Sequence, residues 1–413
     1  IQVLHPNRRL VLVTFSNEIT VYQPLIDPVS NSLRIEKASI RGDRLSKEKQ
    51  LAAFAQKIYD ENFQHLASVE QSHKEILELV NGLTENGATA LGPALLIAQR
   101  ICALYSSHTK SEIILCTDGL SNIGIGSLDS NPNSDFYANI GTAALETRSV
   151  ISIMSIEGSN CAMNSLGKCA EITGGRVNVL NPFELVAEIQ RIAQNPVVAE
   201  QAEIQVFAKP VFELESFQES GKVSWKLEHG NVMKESDLLL HFTQKSRTLP
   251  CPFPIQVQVS YRAYDSSKRI LIFSQLLHTT DDIQEIEKDC DISIIGQYAV
   301  QRAAALGQAR KFEEGIELLY SANHLLQRIS TTDSQKEEYH AFVDCAAGTQ
   351  QELCSCLQDK NRIESDDHAK LLMNAKVISA AHFLSGTRKD VTSREDGVFS
   401  DSRLRDAYYE KRF

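Results

Sequence analysis

Residues 113–126 read I-I-L-C-T-D-G-L-S-N-I-G-I-G, and this stretch limits the chain's folding options more than any other. An apolar, β-rich run ends at a bare carboxylate, Asp118, and the chain then turns through Gly119, Asn122, Gly124 and Gly126. A buried strand that delivers an acid to its C-terminal tip is how open α/β sheets build ligand sites. Upstream, residues 86–95 read N-G-A-T-A-L-G-P-A-L and place Thr89 at the mouth of a helix. There a hydroxyl can cap backbone N–H groups or face a hard cation.

The surrounding pattern supports that frame. Residues 9–15 and 18–22 predict a strand pair, and residues 24–44 carry turn formers without a clear period. Residues 46–62, with Ser46 as N-cap, and 72–83 have helical spacing. A third helix is expected over 91–105, where Pro93 sits in the first turn at little cost. The strand at 112–117 is followed by a loop (127–135), a helix (136–147) and a strand (150–155). A helix at 165–173 is closed by Gly174-Gly175, a strand covers 176–180, and a last helix covers 182–193. Strand and helix therefore alternate through residue 194, which predicts an α/β domain with a mainly parallel sheet.

The character changes at Asn195-Pro196. Five β-like runs follow, at 204–207, 222–226, 238–242, 255–261 and 269–277, and predict an antiparallel β-sandwich over 196–282 with Trp225 in its core. From 283 the period is helical, with helices expected at 283–307, 312–329, 336–357 and 368–384. Residues 386–413 are polar and predict a mobile tail.

Composition narrows the function. A net charge of −11 disfavours nucleic acid and anionic membrane as partners. No run approaches the roughly 18 apolar residues of a membrane span. Nine scattered cysteines fit reduced thiols in a cytoplasmic setting better than a disulfide framework. Neither a P-loop nor a G-x-S-x-G elbow is present, so no enzymatic nucleophile or phosphate loop is nominated. His340, Cys345, Cys354 and Cys356 lie near one another, but a C-x-C step is not a structural-zinc spacing, so these read as incidental thiols.

Four runs together resemble successive segments of a von Willebrand factor A (vWA) domain: L-V-T-F-S-N-E-I-T-V-Y (12–22), G-A-T-A-L-G-P-A-L (87–95), I-I-L-C-T-D-G-L-S-N-I-G (113–124) and C-A-E-I-T-G-G-R-V (169–177). The resemblance covers residues 1–195 and implies a metal-ion-dependent adhesion site. In it, Thr89 is the metal-binding threonine and Asp118 the aspartate that reaches Mg²⁺ through water. A partner's acidic side chain would complete the coordination. The family's first metal loop, Asp-x-Ser-x-Ser, would precede residue 9, and nothing in residues 1–8 matches it. The first residue is Ile, and the chain is expected to be a fragment lacking the family's central first strand, with weak Mg²⁺ binding, an exposed strand edge and a marginally stable first domain. The order of an A domain, a β domain and helices is also similar to COPII coat subunits and to the A-domain region of circularly permuted Ras-like proteins. The resulting expectation is a non-enzymatic protein-interaction module. The alternatives are a metal-independent scaffold or coat-like subunit, and an accessory region of a protein whose GTPase domain lies elsewhere.

Overall fold

A computed structural model describes residues 7–27, 29–42, 48–62, 65–84, 87–105, 111–129, 135–156, 161–180, 189–190, 197–209, 212–214, 224–234, 237–244, 252–263, 267–278, 280–359, 365–376 and 378. They divide into two compact units, Ile1–Val197 and Val198–Phe413.

In the first unit, β1 (Leu12–Phe15), β2 (Glu18–Ile26) and β3 (Leu33–Arg41) form an antiparallel sheet in that order. The third strand was not expected, since residues 24–44 look like turn sequence. Arg34, Glu36 and Lys37 interrupt its alternation, which an edge strand tolerates because both its faces reach solvent. Pro24 lies in the middle strand without cost. β1 pairs only as far as Tyr22, and beyond it the carbonyl of Pro24 accepts from the N–H of Ala67 at 2.8 Å.

The second sheet is parallel, in the order β4 (Ser111–Thr117), β5 (Ser149–Ile156), β6 (Val177–Leu180). β5 is central and buried along all but its last residue, so it can be apolar on both faces. β4 was expected to be buried throughout and is not. Ile113 and Leu115 are buried, while Ile114 is half-buried and Cys116 exposed, because among the described residues β4 has a strand neighbour on one side only. No described strand joins the two sheets. Arg8 and Glu112 form an ion pair at 2.9 Å between the segment entering β1 and the start of β4, a part-exposed contact worth at most about 1 kcal/mol.

The helices described in full in this unit are α1 (Glu48–Asn62), α2 (Val69–Asn81), α3 (Leu91–Tyr105), α4 (Phe136–Glu146) and α5 (Met163–Thr173). α2 begins earlier than residue 72. Ser68 is its N-cap, and the Gln71 side-chain oxygen accepts from the Ser68 N–H at 3.0 Å, a capping box worth about 1 kcal/mol. The expected caps of α1 lie outside the described residues. α3 is buried on nearly every side: Leu91, Leu95, Ile97 and Ile101 are all 4% exposed or less, each contributing about 1.5–3 kcal/mol. α5 closes at Gly174 with φ 73°, as the Gly-Gly signal predicts. The helix expected at 182–193 falls outside the described residues except for 189–190, which are helical.

In the second unit, β7 (Val197–Phe207), β9 (Ser224–Met233), β11 (Phe253–Arg262) and β12 (Lys268–Leu277) form a sheet in the order β12-β11-β7-β9. β11 pairs antiparallel with both β7 and β12. A second antiparallel pair joins β8 (Phe212–Leu214) and β10 (Phe242–Gln244), so the strand expected at 238–242 begins only at Phe242. Phe212, Leu214, Trp225, Val206 and Phe253 share one cluster, and Trp225 is 2% exposed. Among the described residues five helices follow: α6 (Ile283–Asp289), α7 (Ile292–Gln308), α8 (Phe312–Ile329), α9 (Asp333–Gln358) and α10 (Asp366–Lys376). The single helix expected over 283–307 is two, because Asp291 caps α7 by accepting from the Ile294 N–H at 2.9 Å. The last described helix ends at Lys376, and residues 379–384 of the expected helix, like the expected tail, lie outside the described residues.

Candidate functional site

Three loops of the first unit meet beside the N-terminus of α3. The first is the Ser16-Asn17 turn between β1 and β2. Its backbone accepts from Gly42 (2.8 Å) and Ala90 (3.1 Å), and the Asn17 carboxamide oxygen accepts from the Ala88 N–H at 3.1 Å. Asn17 was not singled out from sequence, because its cross-loop role depends on a contact 71 positions away and leaves no local signal.

The second loop carries Thr89, half-buried and two residues before α3. Asn122 grips it from the third loop. The Asn122 side-chain oxygen accepts from the Thr89 N–H at 2.7 Å, and the Asn122 N–H donates to the Thr89 carbonyl at 3.1 Å. The third loop leaves β4 at Thr117, whose hydroxyl donates to the Gly119 carbonyl at 3.1 Å and tightens the turn just past Asp118. Asp118 is exposed. A Cβ built on Gly119 lies 3.7 Å from the Thr89 hydroxyl oxygen, so threonine and the turn after the aspartate are neighbours. The two residues singled out from sequence thus lie on adjoining loops.

Two glycines let these loops approach. Gly92 faces the carbonyl of Ile125 too closely for any side chain. Gly124 has φ 80°, and a Cβ there would sit 2.5 Å from Pro93 Cγ and 2.9 Å from the Gly42 carbonyl. Beneath the loops, the Tyr137 hydroxyl donates to the Gly126 carbonyl at 2.7 Å, and burial pushes that phenol above its ordinary pKa. Asp118 is therefore an open acid on a turn fixed from below and from the side.

No protein-family model matches the chain. It is 28% identical over 425 aligned residues to Circularly permutated Ras protein 1 of Dictyostelium discoideum, covering all of this chain and 48% of that protein. Among solved structures, the human COPII-coat protein Sec24c superposes with a TM-score of 0.62 at 12% identity, over 92% of this chain and 53% of that one. The chain contains a von Willebrand factor A-type fold. A von Willebrand factor type A protein from Catenulispora acidiphila also aligns, with a TM-score of 0.43, 13% identity, and coverage of 83% of this chain and 90% of that one. The chain thus spans about half the length of the Dictyostelium relative and of Sec24c. Among the described residues, no helix is long and apolar enough to cross a membrane.

Proposed function

We propose that this chain is a non-enzymatic protein–protein interaction module, with the loop cluster around Thr89 and Asp118 as its partner-binding surface. The observation that carries this reading is the reciprocal pair of hydrogen bonds between Thr89 and Asn122, which holds the threonine against the turn after Asp118. The Thr89 hydroxyl and the Asp118 carboxylate are hard oxygen donors and fit Mg²⁺ in kind. A bound Mg²⁺ would supply an electrophilic position that a partner's Glu or Asp completes. Two protein donors are few, so on this reading Mg²⁺ binds weakly until a partner carboxylate joins. A cytoplasmic setting is consistent with the eight described cysteines, all free thiols.

Two observations favour companion readings. The Sec24c fold supports a coat-like or scaffold role that needs no metal. The name of the Dictyostelium relative supports an accessory role beside a Ras-like GTPase domain elsewhere in a longer protein. Partners co-purified with the longest natural form of the protein separate these. Under the Mg²⁺ reading, Asp118→Ala and EDTA each release the same partners. Partners retained under both treatments support the metal-independent scaffold instead.

A further inference from the structure

Three potential metal ligands converge in the helical part of the second unit, far from any motif. Glu352 and Cys356 are one turn apart on α9 and so share a face. His368 comes from the first turn of α10, where its N–H donates to the Ser365 hydroxyl at 3.2 Å. The imidazole Nδ1 lies 3.2 Å from Cys356 Sγ and 3.2 Å from Glu352 Oε1, and Sγ and Oε1 are 3.8 Å apart. All three residues are 4% exposed or less.

We propose that Glu352, Cys356 and His368 form a zinc site that fastens α10 to α9. Ligands at ordinary Zn–S, Zn–N and Zn–O distances on tetrahedral corners are about 3.3–3.6 Å apart, close to the separations here. A thiol and an imidazole select zinc over Mg²⁺ or Ca²⁺. The charges also balance. One thiolate, one carboxylate, a neutral imidazole and Zn²⁺ sum to zero, which suits a site shut away from water. A proton relay does not fit. In a nucleophile–base–acid triad the histidine uses its two ring nitrogens for two partners, whereas here one nitrogen faces both. Burial also denies substrate access.

The surroundings explain what such an ion would do. Leu353, next in sequence to Glu352, and Leu372, one turn after His368, are both buried in the helical core, and a Cβ on Gly307 of α7 would crowd both. Phe312 meets the His368 ring edge-on at 6.3 Å and restrains its plane. α10 fully buries two hydrophobic residues, Ala369 and Leu372, with Leu371 and Ala375 partly buried beside them. An ion joining it to the longest helix would add a link to that packing, with one enclosed water completing the tetrahedron.

The test is metal analysis of the full chain purified without chelators. One zinc per chain is expected. Cys356→Ser and His368→Asn each lower zinc occupancy at least about tenfold, while Cys354→Ser, two residues away, retains it. Because a ligand variant can fail to fold, the wild-type chain is also stripped and titrated with Co²⁺. A tetrahedral d–d spectrum with a single thiolate charge-transfer band is expected. Zinc that persists in Cys356→Ser, or a stripped wild-type chain that takes up neither Zn²⁺ nor Co²⁺, overturns the proposal.

Discussion

The two candidate ion sites of this molecule are opposites. The loop cluster at Thr89 and Asp118 is open, offers oxygen donors, and is assembled by backbone hydrogen bonds across three loops. The Glu352–Cys356–His368 cluster is shut, offers sulfur, nitrogen and oxygen, and is assembled by two helices packed into a core. The first has the form of a surface that presents an ion to something else; the second has the form of a clasp. The first is written in contiguous motifs, the second in residues scattered over 17 positions. Legibility in sequence and quality of coordination therefore run in opposite directions here.

The sharpest way to break this comparison is metal removal. Stripping transition metal with a strong chelator should lower the melting temperature of the second unit by roughly 6–12 °C, which corresponds to about 3 kcal/mol for a unit of this size. Adding or withdrawing Mg²⁺ should leave thermal melting nearly unchanged. Calorimetry with both treatments checks the contrast, and a large Mg²⁺ effect with no chelator effect would reverse it.

Substitution gives the next largest contrast. His368→Ala leaves a buried acid and thiol without their centre and should cost about 2–4 kcal/mol in denaturant unfolding. Asp118→Ala removes an exposed side chain and should change stability by less than about 0.5 kcal/mol. Equal costs at the two positions would mean that Asp118 is structural. A smaller effect lies between them. Asn122→Ala removes the side-chain acceptor for the Thr89 N–H and should cost about 1 kcal/mol while abolishing any Mg²⁺ response of the loops.

The thiols provide the mildest test. Burial pushes Cys169 from its ordinary value of 9.0 up to about 12. The unfolded chain then loses its thiol proton first, so this group's contribution to stability is intact below pH 9 and erodes as pH rises toward about 12. At neutral pH, alkylation should reach exposed Cys116 in the folded chain and Cys169 only on unfolding. Equal labelling of the two would contradict the burial of α5 against β5.

Much of the first unit was readable because its signals are local. The Gly-Gly stop after α5, the apolar run of β4 and the Pro93 start of α3 each lie within a few residues of the feature they specify. β3 was missed because an edge strand can carry Arg34, Glu36 and Lys37 where alternation demands apolar residues. Ser72 drew the start of α2 too late; it is a buried interior residue whose hydroxyl donates to the Ser68 carbonyl at 2.8 Å, and Ser68 is the cap. At the loop site, Thr89 and Asp118 were legible and Asn17 was not, because its partner Ala88 is distant in sequence. The metal-type cluster was passed over for the same reason. Cys356 was seen beside Cys354 along the chain, whereas its partners are Glu352, one helical turn back, and His368 on another helix.

The most direct test of the loop cluster as a cation-assisted recognition surface follows backbone amides by NMR through an Mg²⁺ titration of the purified chain. The expected result is a weak, saturable response confined to residues 87–91 and 118–124, absent in Asp118→Ala, with the amides of α9 and α10 unmoved. Silence of those loop amides throughout the titration, or an identical response in Asp118→Ala, would contradict it.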